Sequence, residues 1–181
     1  YRIEQKNKLE FKDSSKFSYD FSYKSSGKNT TITRKNELYP FVKIKNNFSI
    51  TGDYEAKNFK YWTYDWRISF DKAERYDSWD SKGYKKRFFK IAGSIFPNDN
   101  LKLKSEFRVK KEKEWLNWIV DNNLAVYDLN QRIISFDLNW FKGNKHEIRL
   151  KSQFVALEAK KPRALFSKND GALLNLDKEI N

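Results

Sequence analysis

The chain has no cysteine, a single histidine (His146), three prolines and six glycines in 181 residues. Without cysteine there are no disulfides and no thiolate metal sites, which argues against a small secreted domain held by cross-links. One histidine is too few for a multi-histidine centre. Scarce Gly and Pro leave no room for long low-complexity linkers. No apolar run approaches the roughly 18 residues that a membrane-spanning helix needs. No secretory leader stands at the front. The chain opens on Tyr1, without Met and already inside an alternating segment (Tyr1, Ile3, Leu9, Phe11), so it reads as a processed piece or a fragment.

Aromatic residues are abundant, at 17%, and charged residues make up 34%. The mean hydropathy of -0.90 alone would indicate a very soluble, partly disordered chain. Disordered chains avoid aromatics, however, so these rings must be buried or anchored in something ordered. The low average then arises from regular mixing of apolar and polar residues, which is a property of strands. The net charge of +13 implies an anionic partner, such as a nucleic acid, an acidic glycan or the phosphate-rich face of a membrane. A Lys/Asn-rich, solvated surface is the plainer explanation.

Alternation recurs along the chain. Trp62, Tyr64, Trp66, Ile68 and Phe70 alternate with Thr63, Asp65, Arg67 and Ser69. Leu101, Leu103, Phe107 and Val109 alternate with Lys102, Lys104, Glu106 and Arg108. Similar patterns run through Phe17–Tyr23, Val42–Ile50, Phe89–Ile95, Ile134–Trp140 and Ile148–Ala156. Each such strand has one greasy and one wet face. Glu112 to Val126 breaks the pattern and reads as a loop with at most a turn of helix.

The links between these segments alternate in length. Short or medium ones fall at Lys12–Ser15, Thr51–Asn58, Pro97–Asn100 and Lys142–Lys145. Long ones fall near Ser25–Tyr39, Lys72–Lys86 and Lys111–Gln131. Residues 1–181 are therefore expected to form part of a single transmembrane β-barrel domain. The expected class is all-β, an antiparallel up-and-down barrel of the outer-membrane type, with about eight strands of roughly 9–11 residues. Trp62, Phe96, Trp140 and Phe141 stand where aromatic girdles would lie. A soluble β-sandwich would alternate in the same way; the link lengths, the aromatic load and the long hairpins favour the barrel.

The C-terminal half adds a resemblance. Leu101–Lys113 reads LKLKSEFRVKKEK, followed by Trp115-Leu116-Asn117-Trp118, then SFDLNWFKGNK at Ser135–Lys145 and HEIRLKSQFVALEA at His146–Ala159. Over roughly residues 85–175 this resembles the C-terminal barrel region of a family of uncharacterised bacterial outer-membrane proteins. Longer members carry an N-terminal module similar to family-9 carbohydrate-binding domains. The resemblance implies an outer-membrane location and a glycan-related role, and it transfers no catalytic residue. The sequence departs from that pattern in lacking both the carbohydrate-binding module and a terminal aromatic strand. The expectation is that the barrel is truncated at both ends.

No catalytic residue, metal or cofactor is expected. Asp77/Asp80, Asp20, Asp65 and Glu106 sit in no acid/base frame. Glycine-rich phosphate loops, HExxH and GxSxG are absent, and Asn169-Asp170-Gly171 reads as a turn. Lys43, Lys45, Arg67, Lys102, Lys104, Arg108, Arg149 and Lys151 lie opposite the apolar face, so in a barrel they would face the lumen. There they would either draw anions or pair with acids in inter-strand ladders. Trp115 and Trp118 with Lys111 and Lys113 form a basic aromatic segment suited to sugar stacking or to phosphate at a membrane surface. The expected partners are outer-membrane lipid and lipopolysaccharide, with glycan as a further candidate and no nucleic acid. The alternative is a soluble basic β-domain that binds nucleic acid or acidic glycan.

Overall fold

The structure is a computed structural model, described here for residues 1–33, 41–57, 59–75, 84–143 and 145–176, with backbone only at 71–75 and 84. Ten strands form one antiparallel sheet. They are β1 (Arg2–Glu10), β2 (Lys16–Lys24), β3 (Gly27–Asn29), β4 (Val42–Glu55), β5 (Trp62–Arg75), β6 (Tyr84–Asn98), β7 (Leu101–Val120), β8 (Asn123–Lys142), β9 (His146–Ser167) and β10 (Leu173–Asn175). Sequence neighbours pair in the order β1-β2-β4-β5-β6-β7-β8-β9-β10, and β3 lies beside the start of β4. The all-β antiparallel class is therefore observed. Among the described residues the sheet is not closed. Among the described residues β1 has one neighbour, and β9 meets β10 only at Leu165–Ser167.

Eight of the strands are long, as the alternation predicts, but several exceed the expected length: β7 and β8 have 20 residues each and β9 has 22. The segment read as a loop, Glu112 to Val126, is instead the far part of the β7–β8 hairpin. It turns tightly at Asp121 and Asn122, with Asp121 at a φ of 49°. Two register shifts explain the misreading, one between Glu112 and Trp115 and one between Trp118 and Val120. Each inserts an extra residue, so the polar/apolar period slips while the strand continues.

Turn chemistry sets the other end. Phe11 and Ser15 close the β1–β2 turn through Phe11 N–H to the Ser15 carbonyl at 2.9 Å, and Ser14 takes a φ of 67°. Asp13 accepts from the Ser15 amide at 3.0 Å and from its hydroxyl at 2.6 Å. These hydrogen bonds hold its carboxyl below the usual range. The links after β4, β6 and β8 emerge at this same end. The opposite end carries the β2–β4 and β5–β6 links and the protruding β7–β8 hairpin. Residues 34–40 of the first link and 76–83 of the second lie outside the described residues, as do Asp77 and Asp80.

At that opposite end the sheet curls. Val42 of β4 forms one buried cluster with Leu124 and Val126 of β8, Leu165 of β9 and Leu173 of β10. Three strands separate β4 from β8 in the sheet, so these side chains can meet only across its concavity. The Lys43 amide donates to the Gly171 carbonyl at 2.9 Å, tying the β9–β10 turn to β4.

Candidate functional site

Directly paired residues share a face of the sheet, and their sequence neighbours share the other. One transverse row reads Leu9, Phe17, Tyr54, Trp66, Ile91, Phe107, Ile134 and Phe154, running from β1 to β9. Every member is apolar or aromatic. The adjacent row reads Glu10, Lys16, Glu55, Asp65, Ala92, Glu106, Ser135 and Gln153. In these two rows the sequence pattern becomes two chemically opposite faces across eight strands, while toward the other end Arg132 joins the first face and Ile133, Val155 and Leu157 join the second.

Exposure runs against the rule for a protein folded in water. Phe154 is 63% exposed and Leu150 61%, whereas Glu106 on the polar face is 7% exposed. No second sheet covers the apolar face among the described residues. The exposed apolar residues form a band: Ile68 on β5, Phe89 to Ile95 on β6, Ile134 to Trp140 on β8 and Ile148 to Phe154 on β9. Beyond this band β7, β8 and β9 continue with Lys111, Lys113, Asn130, Glu158 and Lys160. Trp62, Phe96, Trp140 and Phe141 all sit toward the short-turn end. There Phe59 stacks on Trp62 at 4.0 Å and Trp62 on Tyr64 at 5.6 Å.

On the polar face, ion pairs link neighbouring strands. Lys90 on β6 reaches Asp65 on β5 at 2.7 Å and Glu106 on β7 at 3.8 Å. Arg108 also pairs with Glu106, and Arg67 pairs with Asp53 across β4–β5. Burial of Glu106 is tolerable because two cations share it; a lone buried carboxylate would be very costly. Lys104, Asp137 and Lys151 lie in register one row further on. With Arg108 and Gln153 they border a polar cleft of about 360 Å³.

Of the eight cations expected on the polar face, the register places Arg67, Lys102, Lys104, Arg108, Arg149 and Lys151 there. Arg149 pairs with Glu147 along its own strand. Lys43 and Lys45 differ. Ile44 pairs with Arg75 and Asn47 with Ala73, so β4 holds an extra residue between them. That bulge resets the alternation and brings Val42 and Ile44 to the face of Asn47 and Asp53. Lys45 lies within the bulge, and Lys43 pairs with Asp170 at 3.5 Å.

Trp115 and Trp118 are strand residues on β7. Trp115 pairs with Tyr127, their rings 6.2 Å apart, while Leu116 and Trp118 pair with Val126 and Leu124. The indoles therefore point to opposite faces and share no single stacking platform. Trp118 Nε1 donates to the Asp121 carbonyl at 2.9 Å, which holds the hairpin tip. Lys111 and Lys113 are exposed beside them. Asn169-Asp170-Gly171 is the β9–β10 turn, as its sequence indicates: the Lys168 amide donates to the Ala172 carbonyl at 2.9 Å, and Asp170 accepts from the Ala172 amide at 3.0 Å. No group of three or more metal-ligating side chains exists among the described residues.

No family model matches the sequence, and no curated protein or solved structure matches it either.

Proposed function

We propose that this chain is the wall of a bacterial outer-membrane β-barrel, with its apolar face toward lipid and its ion-paired face toward the lumen. One observation carries the reading: the row from Leu9 to Phe154 is apolar on each of its eight strands, while the adjoining row holds Asp65 and Glu106, which pair with Lys90 and Arg108 on the same face. A water-soluble sheet would bury the first row and solvate the second. Membrane barrels invert that arrangement, and their strands cross in about 9–11 residues. The exposed apolar band spans seven residues on β6, β8 and β9, somewhat less than a full crossing, and the surplus length of β7, β8 and β9 becomes projection beyond the bilayer.

In lipid the edges of β1 and β9 must be satisfied, because hydrocarbon offers no hydrogen-bond partners. The eight long strands run in alternating directions, so β1 and β9 are antiparallel. An antiparallel seam, made directly or through further strands, closes the wall without a crossover. The ladder Asp65–Lys90–Glu106–Arg108 fills the inner side as mixed charges fill small barrels. This supports a structural role, with transport of anionic or glycan solutes through the polar cleft as its extension.

The test is refolding from urea in the presence of phospholipid vesicles. The expected result is insertion, protease resistance and faster gel migration of the unboiled than of the boiled chain. A soluble monomer that ignores vesicles would refute the reading. Salt-sensitive binding to nucleic acid by such a monomer would favour the basic β-domain instead.

A further inference from the structure

On the apolar face lies a groove of about 650 Å³. Its floor is made by Gly93, Ser105 and Ser152, which fall in one transverse row with Tyr64 and Phe136. Its walls include Trp62, Ile95 and Leu150 from the next row toward the short turns. The groove crosses from β5 to β9, five strands in all, or about 19 Å at the usual strand spacing. That is the length of an extended long-chain acyl tail.

The backbone does not require these small residues. Gly93 has no left-handed φ, and a Cβ there would meet only the Thr63 carbonyl oxygen at 3.4 Å. A larger side chain would fit the strand and would fill the groove. Small residues in a face otherwise built from Ile, Leu, Phe and Trp therefore make a depression, and the depression is what they contribute.

The turn end of the groove is basic. The link between β4 and β5 is pinned by three backbone hydrogen bonds: Ala56 N–H to the Tyr64 carbonyl, Phe59 N–H to that of Trp62, and Phe96 N–H to that of Tyr61. The link carries Lys57 and Lys60, whose ammonium groups lie over the rings of Phe59 and Tyr61 at 4.9 and 5.0 Å. Phe59 in turn stacks on Trp62, a wall of the groove. Apolar trough, aromatic shoulder and the two ammonium groups, of which Lys57 also lies in the field of Asp13, follow one another in the order tail, interface and phosphate of a lipid.

We infer that this groove holds one acyl tail of an anionic phospholipid, whose phosphate is taken by Lys57 and Lys60. The inference rests on the membrane reading above. It adds a specific lipid site to the general contact of the wall with the bilayer.

Native mass spectrometry of the folded chain in detergent, titrated with phosphatidylglycerol or phosphatidylcholine, tests it. One phosphatidylglycerol is retained in preference to phosphatidylcholine. Gly93→Leu and, separately, Ser105→Leu lower that retention roughly tenfold, a difference well within reach of one lost tail contact. The pair Lys57→Gln and Lys60→Gln brings phosphatidylglycerol down to the phosphatidylcholine level. Ile68→Leu, on the same face outside the groove, changes nothing. Because each groove-filling variant sits on a different strand, one that misfolds, as judged by heat-dependent gel mobility, leaves the other to answer. Undiminished retention in a folded groove-filled variant, or equal binding of the two lipids by the unaltered chain, overturns the site while the membrane reading stands. Failure of the unaltered chain to enter any vesicle overturns both.

Discussion

The amide of Lys43 on β4 and the carbonyl of Gly171 in the β9–β10 turn meet at 2.9 Å, although β4 lies far from β9 and β10 in the sheet order. Lys43 Nζ also reaches Asp170, and the Phe41 ring lies where a Cβ on Gly171 would stand, 2.5 Å away. This latch joins β4 to the β9–β10 turn and covers the buried cluster of Val42, Leu124, Leu165 and Leu173.

Replacing Gly171 with Ala tests the latch. Gly171 has a φ of 79°, so the new methyl is strained by the backbone and also meets Phe41. A loss of about 1–3 kcal/mol is expected. Gly27→Ala should cost under about 1 kcal/mol, since a Cβ there meets nothing within 4 Å. Denaturant midpoints of the two variants give the comparison, and equal midpoints would mean that the latch contributes nothing.

Acid should loosen the same latch. The Asp170 carboxyl lies below its ordinary value, chiefly through the Ala172 amide it accepts; desolvation opposes this, and Lys43 lowers it further. A lowered folded value means that the stabilisation is complete above the unfolded value of 3.8 and disappears as pH falls through the folded one. Hydrogen exchange at the Ala172 and Lys43 amides should accelerate over that window. Lys43→Met should move the onset to higher pH.

Ile134 separates the two environments proposed for the apolar face. It is 39% exposed and lies mid-row between Phe107 and Phe154. In a bilayer, Ile134→Arg costs about 2–4 kcal/mol, because a charge at that depth faces hydrocarbon. In water the same change would fall within about 0.5 kcal/mol. Unfolding of the vesicle-refolded chain measures the difference, and a neutral result would place this face in water.

Glu106 tests the opposite face. Truncation to Ala removes the carboxylate shared by Lys90 and Arg108; Lys90 keeps Asp65, and Arg108 loses the acid beside it. A loss of about 1–3 kcal/mol is expected. Arg2→Ala, which breaks an exposed pair with Glu4 on β1, should cost less than about 1 kcal/mol. If both variants unfold at the same midpoint, the ladder on β5–β7 does not hold the sheet.

Much of this sheet could be read from alternation alone. Trp62–Phe70, Leu101–Val109 and Ile134–Trp140 are strands with the expected apolar face, and the turns at Asp99-Asn100 and after Lys142 fall as their residues indicate. What escaped was set by pairing between strands. Val42 and Ile44 share parity with Phe48 and Ile50, and only the bulge between Ile44 and Asn47 puts them on the other face. Trp115-Leu116 and Trp118-Ile119-Val120 look non-periodic because β7 carries bulges that β8 absorbs. The pairing of Asp65, Lys90 and Glu106 likewise depends on register, which no single segment encodes. The groove at Gly93, Ser105 and Ser152 arises from three strands aligned side by side.

The outer side of β9 is the feature with the widest practical consequence. Along residues 146–160 no strand lies beyond it among the described residues. Residues 152–157 read SQFVAL, with neither charge nor proline, and Phe154, Val155 and Leu157 are all more than half exposed. A ribbon of open amides flanked by dry side chains on both faces is a template for identical copies. Until that side is met by its proper neighbour, newly made chains will compete to stack on one another as filaments. Recovery of this protein as single copies therefore depends on keeping 152–157 covered while it folds.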